Sequence, residues 1–290
     1  LDDTEIGYLS NGFSSITIGS ASGTGAIAVN FATVPTFADN LVIQSSSGTI
    51  TAVDTIDTAT NTLTISSGGA VSVAGITSGT LAITGTGITL NNNITTSGTQ
   101  TYTGAVTLGD AITLTSNNNT VSFSGSGSTI NGAKAFTVNA GSGAISFGGV
   151  VGGSSVLASL DLTTTHTTGI TLSGNVTTTG SQSYNGNVLL AGANINLNTT
   201  NSNVTITGAV EGGSASVTMV LQFLGGGAYV YNGTSYTAGS GSQPAGITVS
   251  YSGSSYSWTP SVSTTANVLV VGGGGGGGYD GAGGGGGRSE

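Results

Sequence analysis

Along most of the chain, single β-branched or aromatic residues alternate with Thr, Ser, Asn and Gly. Ile88/Leu90, Val106/Leu108, Ile112/Leu114 and Val121/Phe123 are typical pairs. The i, i+2 spacing predicts short strands with one buried face. Between the pairs stand corner sequences such as Asn91-Asn92-Asn93, Asn117-Asn118-Asn119 and Asn201-Ser202-Asn203. Asn and Gly tolerate the left-handed backbone that tight corners require.

The pattern repeats at two lengths. Ile88 to Gly104 reads ITLNNNITTSGTQTYTG, and Ile170 to Gly186, 82 positions later, reads ITLSGNVTTTGSQSYNG, with ten of seventeen residues identical. Inside each copy the apolar positions recur sooner. Ile88 to Val106, Ile94 to Ile112 and Tyr102 to Val121 are 18, 18 and 19 apart; Ile170 to Val188, Val176 to Ile195 and Tyr184 to Val204 are 18, 19 and 20. Several short strands within a period near 19 predict a parallel β-helix, in which coils stack at the spacing of hydrogen-bonded strands. About 220 residues at that period make on the order of eleven coils, roughly 50 Å of rod. An antiparallel sandwich would show frequent turns but not a coil-length period nested in a longer one.

Composition narrows the function. Of 290 residues, 4% are charged, against roughly 25% in an average soluble domain. Lys134 and Arg288 are the two basic side chains in a net charge of −9. Counterion release on nucleic acid needs clusters of Lys or Arg, so nucleic acid is excluded as a partner, and anionic membrane surfaces are disfavoured. There is no Cys and hence no disulfide, thiolate metal site or thiol nucleophile. No apolar run reaches the roughly 18 residues of a membrane span. The first residue is Leu, with no leader after it, and the chain stops just past a glycine tract. A processed or partial piece of a larger protein is the expectation.

Ser97-Gly98-Thr99-Gln100-Thr101-Tyr102-Thr103-Gly104-Ala105-Val106 and Thr179-Gly180-Ser181-Gln182-Ser183-Tyr184-Asn185-Gly186-Asn187-Val188 resemble repeats of the filamentous-haemagglutinin type, found in large bacterial exoproteins and adhesins. Glu5 to Leu9 and Gly12 to Gly19 are similar to a segment recurring in the same surface proteins. The resemblance covers residues 1–215 and implies a right-handed parallel β-helix, secretion or display at the bacterial cell surface, and a role in adhesion or extracellular fibres. Such proteins work by presenting surface, so the resemblance carries no catalytic residues.

The rhythm changes after Gly212. Val217 to Leu224 is the most continuously apolar stretch, expected to cap the last coil or form a strand buried on both faces. Residues 223–267 are read as a small aromatic-rich β module. It holds Tyr229, Tyr231, Tyr236, Tyr251, Tyr256 and Trp258, with a hairpin across Asn232-Gly233. These aromatics either form the module's own core or make a platform for sugar rings. Residues 268–290 run from Val268-Leu269-Val270-Val271 into polyglycine, expected as a linker or as an ordered packing between neighbouring copies. No Lys-Ser/Thr follows the glycines, which removes a phosphate loop.

The fold class expected is therefore all-β: a right-handed parallel β-helix over residues 1–222, then the β module and the polyglycine segment. An enzyme is not expected. Paired carboxylates for glycoside hydrolysis are missing, since the nearest internal acids are Asp54 and Asp57, which suit a surface or a weak Ca²⁺ contact. Asp39, Asp110 and Asp161 are isolated, and Asp280 alone matches a fragment of a Ca²⁺ repeat. His166 shares strand parity with Leu162 and Ile170, so it points inward if no turn intervenes, and is read as structural. No cofactor is expected. The function expected is that of an extracellular structural or adhesive rod associating with its own copies; the alternative is a glycan- or receptor-binding module using residues 229–258.

Overall fold

The computed structural model describes residues 11–212, apart from 32, 193 and 201, and the backbone of five strands beyond them, Gln222–Gly225, Ala228–Tyr231, Thr234–Thr237, Ile247–Ser252 and Ser255–Pro260. The described residues contain strands and turns but no helix. Contacts divide the chain into two compact units, Leu1–Ala215 with Asn232–Thr234, and Ser216–Tyr231 with Ser235–Glu290.

The first unit is a parallel β-solenoid of three faces. On its first face Ile16, Leu41, Leu63, Leu81, Gln100, Val121, Ile145, Ile170, Val188 and Val210 stand in register on successive parallel strands. Ten positions in one row give nine turns, taking 25, 22, 18, 19, 21, 24, 25, 18 and 22 residues. The uniform period near 19 and the eleven coils are thus corrected to fewer, unequal coils. The extra residues lie in corners: Ser124–Thr129 separates Phe123 from the strand at Ile130, and Gly152–Val156 separates Val151 from Leu157. Corners face water and can lengthen without disturbing the stack.

A second face carries Ile27, Ile50, Val71, Ile88, Val106 and Ile130, continued through bridges to Val151 and Val176. The third face is an eight-stranded sheet with Ile56, Ile76, Ile94, Leu114, Val138, Leu162, Tyr184 and Ile206 in one row. The first two faces merge into a 14-stranded sheet because Leu81–Leu90 and Gln100–Leu108 run through their shared corner without leaving the ladder, with a bulge between Thr103 and Ala105.

Inside, like sits on like. Ile43, Ile65 and Ile83 lead into Tyr102, Phe123 and Phe147, then Leu172 and Leu190, all in one row and all buried except for a trace at Leu190. Tyr102 and Phe123 stack with centroids 4.8 Å apart, and Phe123 and Phe147 at 5.1 Å. Phe136 meets Phe123 and Phe147 edge-on at 6.0 and 6.5 Å. The coil spacing of about 4.8 Å puts rings on adjacent strands at stacking distance.

Register corrects the sequence expectation in one consistent way. Ile88–Val106 and Ile170–Val188 pair as expected. Tyr102 pairs with Phe123 rather than Val121, Ile94 with Leu114 rather than Ile112, Val176 with Leu197 rather than Ile195, and Tyr184 with Ile206 rather than Val204. Each slip is two residues, which keeps every side chain on its predicted face.

The strands beyond residue 212 are antiparallel where register is defined. Gln222–Gly225, Ala228–Tyr231 and Thr234–Thr237 form a three-stranded sheet, with Tyr229 opposite Phe223. Ile247–Ser252 and Ser255–Pro260 form a two-stranded hairpin.

Candidate functional site

The repeated motif turns inward. Thr96, Gln100 and Tyr102 lie on strands of alternating burial that direct all three into the solenoid, where none is more than 1% exposed. The Tyr102 hydroxyl donates to Gln100 Oε1 at 2.9 Å. Gln100 Nε2 donates to Thr96 Oγ1 at 3.2 Å and to the Thr115 carbonyl of the next coil at 2.9 Å. Thr96 Oγ1 donates to the Gly98 carbonyl at 2.6 Å.

The second copy builds the same network. Tyr184 donates to Gln182 Oε1 at 2.8 Å, Gln182 Nε2 to Thr178 Oγ1 at 3.2 Å and to the Asn198 carbonyl at 2.7 Å, and Thr178 Oγ1 to the Gly180 carbonyl at 2.6 Å. A buried carboxamide is tolerable when both ends are satisfied, and here each also ties one coil to the next. Burial pushes both phenols far above the usual tyrosine range. Sequence reasoning treated this motif as a marker of resemblance and missed its role. The available signal was parity: Thr, Gln and Tyr at i, i+4 and i+6 all turn inward in both copies.

Outside, the third face presents a row of short polar side chains in register, Asp57, Thr77, Thr95, Thr115, Asn139, Thr163 and Asn185. Asn185 Nδ2 donates to Thr163 Oγ1 at 3.3 Å and Asp161 Oδ1 at 3.2 Å.

The singled-out acids accept structural hydrogen bonds, from a neighbouring coil and from their own corner. Asp54 Oδ2 accepts from Phe31 N at 2.9 Å; Asp57 accepts from Thr36 Oγ1 at 3.0 Å and Ala59 N at 2.8 Å. They fasten the irregular stretch before Leu41, and among the described residues no group of three metal-ligating side chains gathers. Asp39 is buried, with Oδ1 accepting from Gly12 N at 3.2 Å and Oδ2 without a partner among the described residues. Asp110 lies 3.8 Å from Lys134 on the surface.

A turn does intervene at His166. The strand Ser159–Thr164 ends two residues earlier, and His166 is half-buried with its Nδ1 accepting from Thr168 N at 3.1 Å.

The six aromatics fall in two groups. Tyr229, Tyr231 and Tyr236 belong to the three-stranded sheet. Tyr251, Tyr256 and Trp258 belong to the hairpin, whose register sets Tyr251 opposite Tyr256 and Val249 opposite Trp258. The Asn232-Gly233 turn, Val217 to Leu221 and residues 268–290 lie outside the described residues. Among the described residues no helix is long and apolar enough to cross a membrane. Compared with protein-family models, curated proteins and solved structures, the chain matches none of them. By its architecture it is a β-helix repeat protein.

Proposed function

We propose that the chain is a non-enzymatic structural and adhesive rod, secreted or displayed at a bacterial cell surface, that associates laterally with its own copies. The supporting observation is the division of labour between inside and outside. The larger side chains and the Thr–Gln–Tyr networks cross-link the coils. The outer third face repeats Thr and Asn once per coil. A second rod with the same coil spacing meets such a row in step, and few like charges oppose its approach.

The test is negative-stain microscopy and sedimentation of the purified chain over a range of concentrations. Rods that align into fibres or sheets support the reading. A particle that stays a lone monomer at every concentration, together with glycan-array binding abolished by Ala at Tyr251, Tyr256 and Trp258, replaces it with the glycan-binding alternative.

A further inference from the structure

The corner asparagines are of two kinds. Asn40, Asn119 and Asn187 donate from Nδ2 to carbonyls of the preceding coil, those of Ser14, Ser97 and Thr167, at 3.1, 2.9 and 3.0 Å. In the other kind the amide nitrogen is left over. Asn93 Oδ1 accepts from Thr113 N at 2.8 Å and Asn175 Oδ1 from Asn196 N at 2.9 Å, while the Nδ2 of each has no partner among the described residues. Asn93, Asn175 and Asn203 are all exposed.

All three occupy the same position relative to a strand. Each is the last residue before a strand, followed by one inward β-branched residue and one outward Thr: Asn93-Ile94-Thr95, Asn175-Val176-Thr177 and Asn203-Val204-Thr205. Ile94 and Val176 are fully buried, so strand parity returns the Asn and the Thr to the same outer side. That is the Asn-x-Ser/Thr acceptor sequence, presented at an exposed corner.

We propose that Asn93, Asn175 and Asn203 are acceptors for N-linked glycosylation. The donor is a sugar activated as a diphosphate ester, and a sequon-directed transferase supplies the base. Nδ2 forms a bond to the anomeric carbon, the bond from that carbon to the diphosphate oxygen breaks, the diphosphate leaves with the electron pair, and the amide gives up one proton. A glycan on Nδ2 leaves the inter-coil bonds of Asn93 and Asn175 intact, because those bonds use Oδ1. The same attachment at Asn119 or Asn187 would place the sugar on the nitrogen that donates to the preceding coil. The acceptor spacing also occurs at Asn232, which lies outside the described residues, and at Asn118 and Asn198. Asn118 sits in left-handed backbone (φ 72°) and Asn198 in the middle of the paired strand Leu197–Thr199, so both are expected to stay bare.

The test is peptide mass spectrometry on the full chain isolated from the cells that make it, alongside Thr95→Ala, Thr177→Ala and Thr205→Ala produced in the same cells. The expected result is sugar mass on the peptides carrying Asn93, Asn175 and Asn203, each lost in its own Thr→Ala variant while the other two remain. One hexose per site identifies a nucleotide-sugar donor, and a fixed oligosaccharide identifies a lipid-linked one. Bare peptides at all three positions, or sugar that persists in the Thr→Ala variants, overturns the proposal.

Discussion

Tyr102 and Tyr184 end the same motif and make the same hydrogen bond, yet they stand on different faces of the solenoid. Tyr102 lies on the first face between Ile83 and Phe123, and Tyr184 on the third between Leu162 and Ile206. The whole repeat moves with them: Ile88 belongs to the second face and Ile170 to the first. The motif therefore encodes a strand–corner–strand unit closed by its own polar network, and more than one face accepts it.

It follows that Gln100→Ala and Gln182→Ala should be equally damaging. Each removes the acceptor of a buried phenol and the donor to a carbonyl of the next coil, a loss of about 2–4 kcal/mol from unsatisfied buried groups. Native-state hydrogen exchange is the suitable measurement, because repeat stacks open locally rather than all at once. A Gln182 variant much milder than its counterpart would contradict the equivalence.

The two phenols set the alkaline limit. Their pKa values are raised by burial, so below about pH 10 they are protonated in both the folded and unfolded chains and stability is flat. Above that pH the unfolded chain releases protons that the folded one keeps, and stability falls by about 1.4 kcal/mol per pH unit for each Tyr. Denaturant midpoints measured from pH 8 to 11.5 should show this decline, and Tyr102→Phe with Tyr184→Phe should flatten it from a lower starting stability.

Phe123 touches rings on three sides, Tyr102, Phe147 and Phe136. Phe123→Ala is expected to cost about 3–5 kcal/mol. The loss should appear as raised exchange and protease cleavage in the coils from Gln100 to Phe147, with the coils near Leu41 less affected.

Gly104 and Gly186 close the two motif copies with φ of 133° and 150°. A Cβ on Gly104 would overlap the Gly85 carbonyl oxygen, and one on Gly186 would lie 2.6 Å from that of Thr164. Ala at either position combines about 1–3 kcal/mol of backbone strain with a clash. Gly104→Ala should be the worse of the two by thermal melting.

Much of this was legible in the sequence because burial in a strand depends only on parity. Ile88, Leu90, Val106 and Leu108 announced their face, and a two-residue error in pairing Tyr102 or Ile94 left the inward set unchanged. Coil length was not legible. It depends on how many residues each corner uses, and corners such as Ser124–Thr129 carry no apolar periodicity to count by. Buried Gln was also hidden, since Gln is ordinarily a surface residue and only its partners Thr96 and Tyr102 explain its place.

Because the two copies look out in different directions, whatever recognises the outward residues of one must approach the other from another side. A flat, rigid ligand can engage only one of them at a time, whereas a sleeve of neighbours packed around the rod can use both. Duplication of this kind would multiply the directions open to attachment rather than the strength of any single grip.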